Sequence, residues 1–101
     1  MCAYEAIGTA MMLFSVNWAI TAPENNYQVE VCTCVVFFIA YLMLSPVSGG
    51  HFNPAITFAF FLNNNDLRSK TNIRINCIII GSQFLGAVLG MFVSMIMIIP
   101  D

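Results

Sequence analysis

Three long apolar runs divide the chain, and the polar residues collect between them. The first extends from Ala3 to Ala22, with Glu5 its single charge and Asn17 its most polar interior residue. Pro23, Glu24, Asn25 and Asn26 then mark a turn. The second, Val31 to Val47, is uncharged throughout; Pro46, Ser48, Gly49 and Gly50 end it. The third, Ile75 to Ile99, carries no charge, and Pro100 and Asp101 close it. A bilayer core of about 30 Å takes about 20 apolar residues per helix. Each run therefore predicts a membrane-crossing helix, over residues 3–22, 31–47 and 75–99. The first run is too long, and its start too polar and too poor in positive charge, for a signal peptide.

Between the second and third runs lies a shorter apolar piece, Pro54 to Leu62. It is apolar enough for a membrane and too short to cross one, the mark of a re-entrant segment in a chain this hydrophobic. Asn53 is a strong helix cap and Pro54 a favoured first helical residue, so a half-helix is expected over 53–62. The preceding Ser48 to Phe52 reads as irregular backbone. At membrane depth such backbone persists only where protein buries it or a watery cavity solvates it. The pattern as a whole predicts an all-α integral membrane protein of three transmembrane helices plus one short re-entrant half-helix.

Composition narrows the class. Of 101 residues, 59% are hydrophobic and 8% charged, against about 25% charged in soluble domains. Three Lys and Arg and a net charge of −2 argue against a nucleic-acid partner. All three basic residues, Arg68, Lys70 and Arg74, lie between the half-helix and the third run, whereas the opposite connection carries Glu24 and Glu30. The positive-inside rule puts the basic connection, and with it the N-terminus, on the cytoplasmic or equivalent side of a multi-pass protein. Cys2, Cys32, Cys34 and Cys77 read as small buried hydrophobes. With His51 the only histidine, no metal centre, cofactor or nucleophile–base pair is legible, and no enzyme is expected.

The stretch Ser48-Gly49-Gly50-His51-Phe52-Asn53-Pro54-Ala55 resembles the box of the aquaporin, or major intrinsic protein, family. Glu5-Ala6-Ile7-Gly8-Thr9 resembles the family's first-span Glu-x-x-Gly-Thr pattern, and Gln83-Phe84-Leu85-Gly86-Ala87 its third-span Gln-x-x-Gly-Ala pattern. The likeness covers nearly the whole chain and the first of the family's two inverted repeats, so residues 1–101 read as a single aquaporin-like half-repeat. The resemblance implies that Asn53, Pro54 and Ala55 line a solute path together with the carbonyls of Gly49, Gly50, His51 and Phe52. It also implies that Glu5 and Gln83 tether the loop. Counting back without gaps from Asn53 puts the family's second-span filter position at Thr33.

Helix physics gives the box a rationale of its own. A helix start holds unpartnered N–H groups and about half a positive charge. Near the bilayer midplane that end attracts a water oxygen and repels a cation. The Asn53 amide adds a donor, and glycines keep side chains out of the path. Gly86 and Gly90, four apart, predict a close helix–helix contact. A second box and its filter arginine are not found in these 101 residues. An obligate protein partner is therefore expected: a second copy, a separate second half, or a larger membrane complex. Two functions compete. One is a channel half passing water or a small neutral solute when completed; the other is a non-conducting structural subunit of a larger membrane complex.

Overall fold

The computed structural model describes residues 1–23, 26–66 and 68–98. The described residues form four helices and no strand: α1 (Cys2–Thr21), α2 (Tyr27–Ser48), α3 (Pro54–Asn63) and α4 (Lys70–Ile98). Two of them, α2 and α4, are long and apolar enough to cross a membrane by length and composition. At 1.5 Å per residue, α4 is about 43 Å long and α3 about 15 Å.

The ends follow local chemistry. Ala22, next to Pro23, is extended (ψ 152°) and stops α1, as the residue before a proline tends to do. Helix α2 begins four residues ahead of the expected Val31, taking in Gln28 and Glu30, because backbone bonding tolerates polar residues that a hydrophobic run excludes. Pro46 lies inside α2 rather than ending it. Gly49 supplies the stop: at φ 93° it is left-handed, and its N–H donates to the Ser45 carbonyl at 2.8 Å. Helix α4 begins five residues ahead of Ile75. Ser69 accepts the Asn72 N–H at 3.4 Å, so the polar stretch Lys70–Arg74 is helix and not loop. The predicted closing residues Ile99, Pro100 and Asp101, and Glu24 and Asn25 of the first turn, lie outside the described residues.

Helix α1 packs between α2 and α4, and α3 packs on α4; among the described residues α2 packs against no helix but α1. Matched positions rise together along α1 and α4, which are therefore parallel. Glu5 meets Gln83 (2.7 Å) and Asn17 meets Ser94 (2.7 Å). Between them Gly86 and Gly90 lie flat against the backbone of Ala6 and Ala10, so close that a Cβ on either glycine would overlap it. Gln83 stands near the middle of α4, about 20 Å from Lys70 and about 22 Å from Ile98. The first turn of α1 is thus level with mid-α4, and α1 runs beside the second half of α4. Met1 stands at that middle level as well, instead of at the Lys70 end.

The interior is polar and small, the exterior apolar. Glu5, Thr9, Ser15, Ser48, Thr57, Gln83 and Ser94 are buried, while Phe38, Leu42, Phe58, Val88, Phe92 and Met95 are exposed. This inverts the soluble pattern and fits a protein whose solvent is hydrocarbon. The cysteines follow the inversion and correct the expectation of burial. Cys32, Cys34 and Cys77 are exposed and Cys2 half-buried, all as free thiols, because they sit on outward faces of their helices.

Candidate functional site

The loop between α2 and α3 sorts its backbone groups by direction. Every N–H from Gly49 to Phe52 is held by the protein. Gly49 N–H donates to the Ser45 carbonyl (2.8 Å) and Gly50 N–H to Ser48 Oγ (3.1 Å). His51 N–H donates to Glu5 Oε1 (3.2 Å) and Phe52 N–H to Glu5 Oε2 (2.8 Å). The four carbonyls of the same residues accept no hydrogen bond among the described residues. Two glycines make this possible, since Gly49 and Gly50 take φ of 93° and 69°, a region closed to most side chains.

Glu5 is the anchor. It is fully buried, and its two oxygens face N–H donors: the two loop amides and Gln83 Nε2 at 2.7 Å. Gln83, also fully buried, turns its second amide hydrogen to Thr57 Oγ1 at 2.8 Å. Its Oε1 is buried without a partner among the described residues. One carboxylate on α1 and one amide on α4 thus fix the loop and the first turn of α3 at the level of mid-α4.

The start of α3 is built for its position. Asn53 is extended (φ −155°) and its Oδ1 accepts the Ala55 N–H at 2.8 Å. Pro54 has no N–H to satisfy. Thr57 N–H returns to the Asn53 carbonyl at 3.1 Å. Asn53 and Ala55 are exposed and Pro54 half-buried. The Asn53 amide nitrogen has no partner among the described residues, so the positive helix end is left with a free donor.

Aromatic rings hold the loop from both sides. The buried Phe52 ring lies on Gly8, where a Cβ would overlap it, and meets Tyr41 edge-on at 5.9 Å. His51 is half-buried, stacks on Phe60 at 4.7 Å, and brings Nδ1 to 3.1 Å from Thr57 Oγ1. Of the residues singled out in the sequence, the fold brings together Glu5, Gly49, Gly50, His51, Phe52, Asn53, Pro54, Ala55 and Gln83.

Thr33 stands apart. Its hydroxyl donates to the Val29 carbonyl at 2.9 Å, with the Ser15 carbonyl of α1 at 3.3 Å. It lines a groove of about 440 Å³ between α1 and α2, with Phe14 and Trp18. Fifteen residues of α2 separate it from Ser48, about 22 Å of helix. Two residues of the site carried no assigned role in the sequence. Thr57 is the fully buried hub between Gln83, His51 and Asn53, and Gly8 is the seat of the Phe52 ring. The signal for both was spacing: Gly8 stands three residues from Glu5 and Thr57 four from Asn53, one helical turn in each case.

The chain is similar in sequence to known proteins. Over 95 residues, 85% of the chain and 33% of the relative, it is 34% identical to Aquaporin-1 of Rhizophagus irregularis. It is 31% identical to the glycerol uptake facilitator protein of Buchnera aphidicola subsp. Schizaphis graminum, over 68% of the chain and 29% of the relative. It is 32% identical to Nodulin-26 of Glycine max, over 55% of the chain and 23% of the relative. The chain thus spans a third or less of the curated relatives it matches. No solved structure matches it. The model of the major intrinsic protein family matches residues 1–100, and the chain belongs to that family of integral membrane channels.

Proposed function

We propose that the chain forms one half of an aquaporin-like channel that passes water or a small neutral solute down its gradient. The observation that carries this reading is the sorting of the loop. Four N–H groups are tied back to Glu5, Ser48 and Ser45, and four carbonyls are left free beside the Asn53 amide. A row of fixed acceptors ending at a donor on a positive helix end suits a solute that both donates and accepts hydrogen bonds. The same end disfavours a cation. Relatives named an aquaporin and a glycerol uptake facilitator bring water and small neutral polyols forward as candidate solutes.

In this reading α1, α2 and α4 are membrane segments and α3 is re-entrant, dipping from the side of the basic connection. Residues 1–101 make a single half-repeat. The rest of the pore is supplied by a complementary half, on the same polypeptide or another, packed over the free carbonyls and the uncovered faces of α2 and α3. Unsatisfied backbone in hydrocarbon costs several kcal/mol per group, which makes that cover obligatory. Glu5 and Gln83 serve as tethers, and Thr33 stands by the path well beyond the box.

The test is liposome swelling with the completed assembly, comparing the parent with Asn53→Asp and Asn53→Ala. The expected result is solute flux in the parent. Asn53→Asp retains the cap and loosens cation exclusion. Asn53→Ala loses flux, and loses about 1 kcal/mol of stability through the missing cap. An assembly that forms fully and passes no solute above bare lipid overturns the channel reading and leaves a structural subunit.

A further inference from the structure

Two of the three basic residues share one face of one helix. Lys70 and Arg74 both belong to α4 and stand one turn apart, and both are exposed. That face is opposite the packed stripe. Arg74 precedes the buried Gln83 by nine residues and Lys70 precedes the buried Ile79 by the same number, two and a half turns in each case. Cys77, Ile78, Gly81, Leu85 and Val88 continue the outward face, all exposed and none charged. Gly81 leaves a notch in it, where a Cβ would meet nothing within 4 Å.

The two cations have no counter-charge on this face. Helix α4 contains no Asp or Glu. The nearest acid in the sequence, Asp66, is held by its carbonyl to Asn72 Nδ2 at 3.1 Å. Asn72 precedes Ile79 by seven residues, two turns, and so lies on the packed side.

Depth places the pair at the headgroups. With Gln83 and the tethered loop at mid-membrane, the hydrocarbon ends about 15 Å away. Arg74 is about 14 Å from Gln83 along the helix and Lys70 about 20 Å, so they straddle that boundary. Side chains of a helix tilt toward its N-terminus, and long basic ones reach outward to the polar layer. A guanidinium fork fits a phosphate with two hydrogen bonds, and an ammonium adds a compact charge.

We infer that Lys70 and Arg74 bind the headgroup of an anionic phospholipid, one acyl chain of which lies along Ile78, Gly81 and Leu85. The positive-inside rule requires only that basic residues lie on this side of the membrane. Here two of them lie on the lipid-facing side of a helix, at phosphate depth, above a notched apolar strip. The inference rests on the membrane placement of α4 in the reading above, and not on conduction.

The experiment is native mass spectrometry of the full chain from mixed micelles holding equal amounts of phosphatidylglycerol and phosphatidylcholine. The parent, Lys70→Gln, Arg74→Gln, the double variant and Arg68→Gln are compared. The expected parent binds phosphatidylglycerol in preference by about thirtyfold, about fivefold from each basic residue. Each single substitution on α4 lowers the ratio by about fivefold, and the double variant brings it near parity. Arg68→Gln removes the same charge from ahead of the helix and leaves the ratio within about twofold of the parent. Free glycerol phosphate, at the concentration of the lipid, does not displace it. No preference in the parent overturns the inference. So does an Arg68→Gln loss equal to that of Lys70→Gln, which would mean diffuse attraction to the whole connection. Displacement by glycerol phosphate overturns it as well, since the acyl strip would then contribute nothing. The altered residues are exposed, and the parent ratio is decisive without any variant. Absence of solute flux would sink the channel reading and leave this ratio standing; equal binding of the two lipids would sink the lipid site and leave flux untouched.

Discussion

Phe52 holds a positive φ of 48° with its ring buried, the sole non-glycine residue described to do so. Left-handed backbone costs a residue with a Cβ about 1–2 kcal/mol. The ring offsets that cost by filling the space over Gly8 and meeting Tyr41. Truncation separates the two effects. Phe52→Ala loses the ring and retains the strain, a loss of about 3–5 kcal/mol. Phe52→Gly loses the ring and relieves the strain, so it should be more stable than Phe52→Ala by about 1 kcal/mol, the reverse of the usual order. Thermal unfolding of both variants in detergent checks this; Ala above Gly would contradict it. The strain was not visible in the sequence, where Phe52 is one apolar residue among many. Asn53, Pro54, Gly49 and Gly50 were legible because each does something few residues can: cap, start or leave a helix. Glu5 and Gln83 stood out as polar groups in apolar runs. Thr57 did not, since a threonine in a short apolar helix is ordinary until its hydroxyl is found between an amide and an imidazole. Thr33 was reached by counting alone, and counting carries no information on which face a side chain occupies.

At the scale of elements, the packed face of α4 is a stripe: Ile79, Gln83, Gly86, Gly90 and Ser94 are buried, each three or four residues from the last. Glu5, Gly8, Thr9 and Ser15 form a matching stripe on α1. Small and polar residues mark the inside here because hydrocarbon gives apolar side chains no reason to gather, and close backbone approach supplies the contact. The glycines of α4 therefore separate into two kinds. A Cβ at Gly86 would overlap the Ala6 backbone, whereas one at Gly81 meets nothing within 4 Å. Gly86→Ala should destabilise the α1–α4 pair by about 1–3 kcal/mol, as overpacking does. Gly81→Ala should stabilise the chain by about 0.5–1 kcal/mol through helix propensity alone. Equal effects of the two substitutions on the unfolding temperature would refute the distinction. The sequence revealed the existence of all four helices and the Gly86–Gly90 contact. It misjudged where α2 and α4 begin, since hydrophobicity reports the membrane's extent along a helix, whereas caps such as Ser69 report the helix's own.

At the scale of the whole molecule, direction is the central property. Helices α1 and α4 run in parallel, and α2 runs back along the other side of α1, its Thr33 beside Ser15 of α1. The start of α3 lies level with mid-α4, and Arg68, Lys70 and Arg74 lie at the opposite end of the α3–α4 connection. A chain that enters to mid-depth and comes out on the side it entered leaves Asn65 and the start of α4 on one face, and Gln28 on the other. A chain whose α3 crossed the membrane would put Asn65 and Gln28 on the same face. At about 15 Å, α3 covers half of a hydrocarbon core of about 30 Å, so the re-entrant path is expected. The basic connection then faces inward by the positive-inside rule. Both Gln28 and Asn65 are exposed, so each can carry a label without disturbing the interior. In a background with the four native cysteines replaced, Gln28→Cys should react with a membrane-impermeant maleimide added to intact cells. Asn65→Cys should react only after the membrane is opened. Reaction of both from outside would mean that α3 crosses, and the re-entrant path would then be wrong. Reaction of Asn65→Cys alone from outside would retain the re-entrant path and invert the molecule, setting the positive-inside rule aside for this chain.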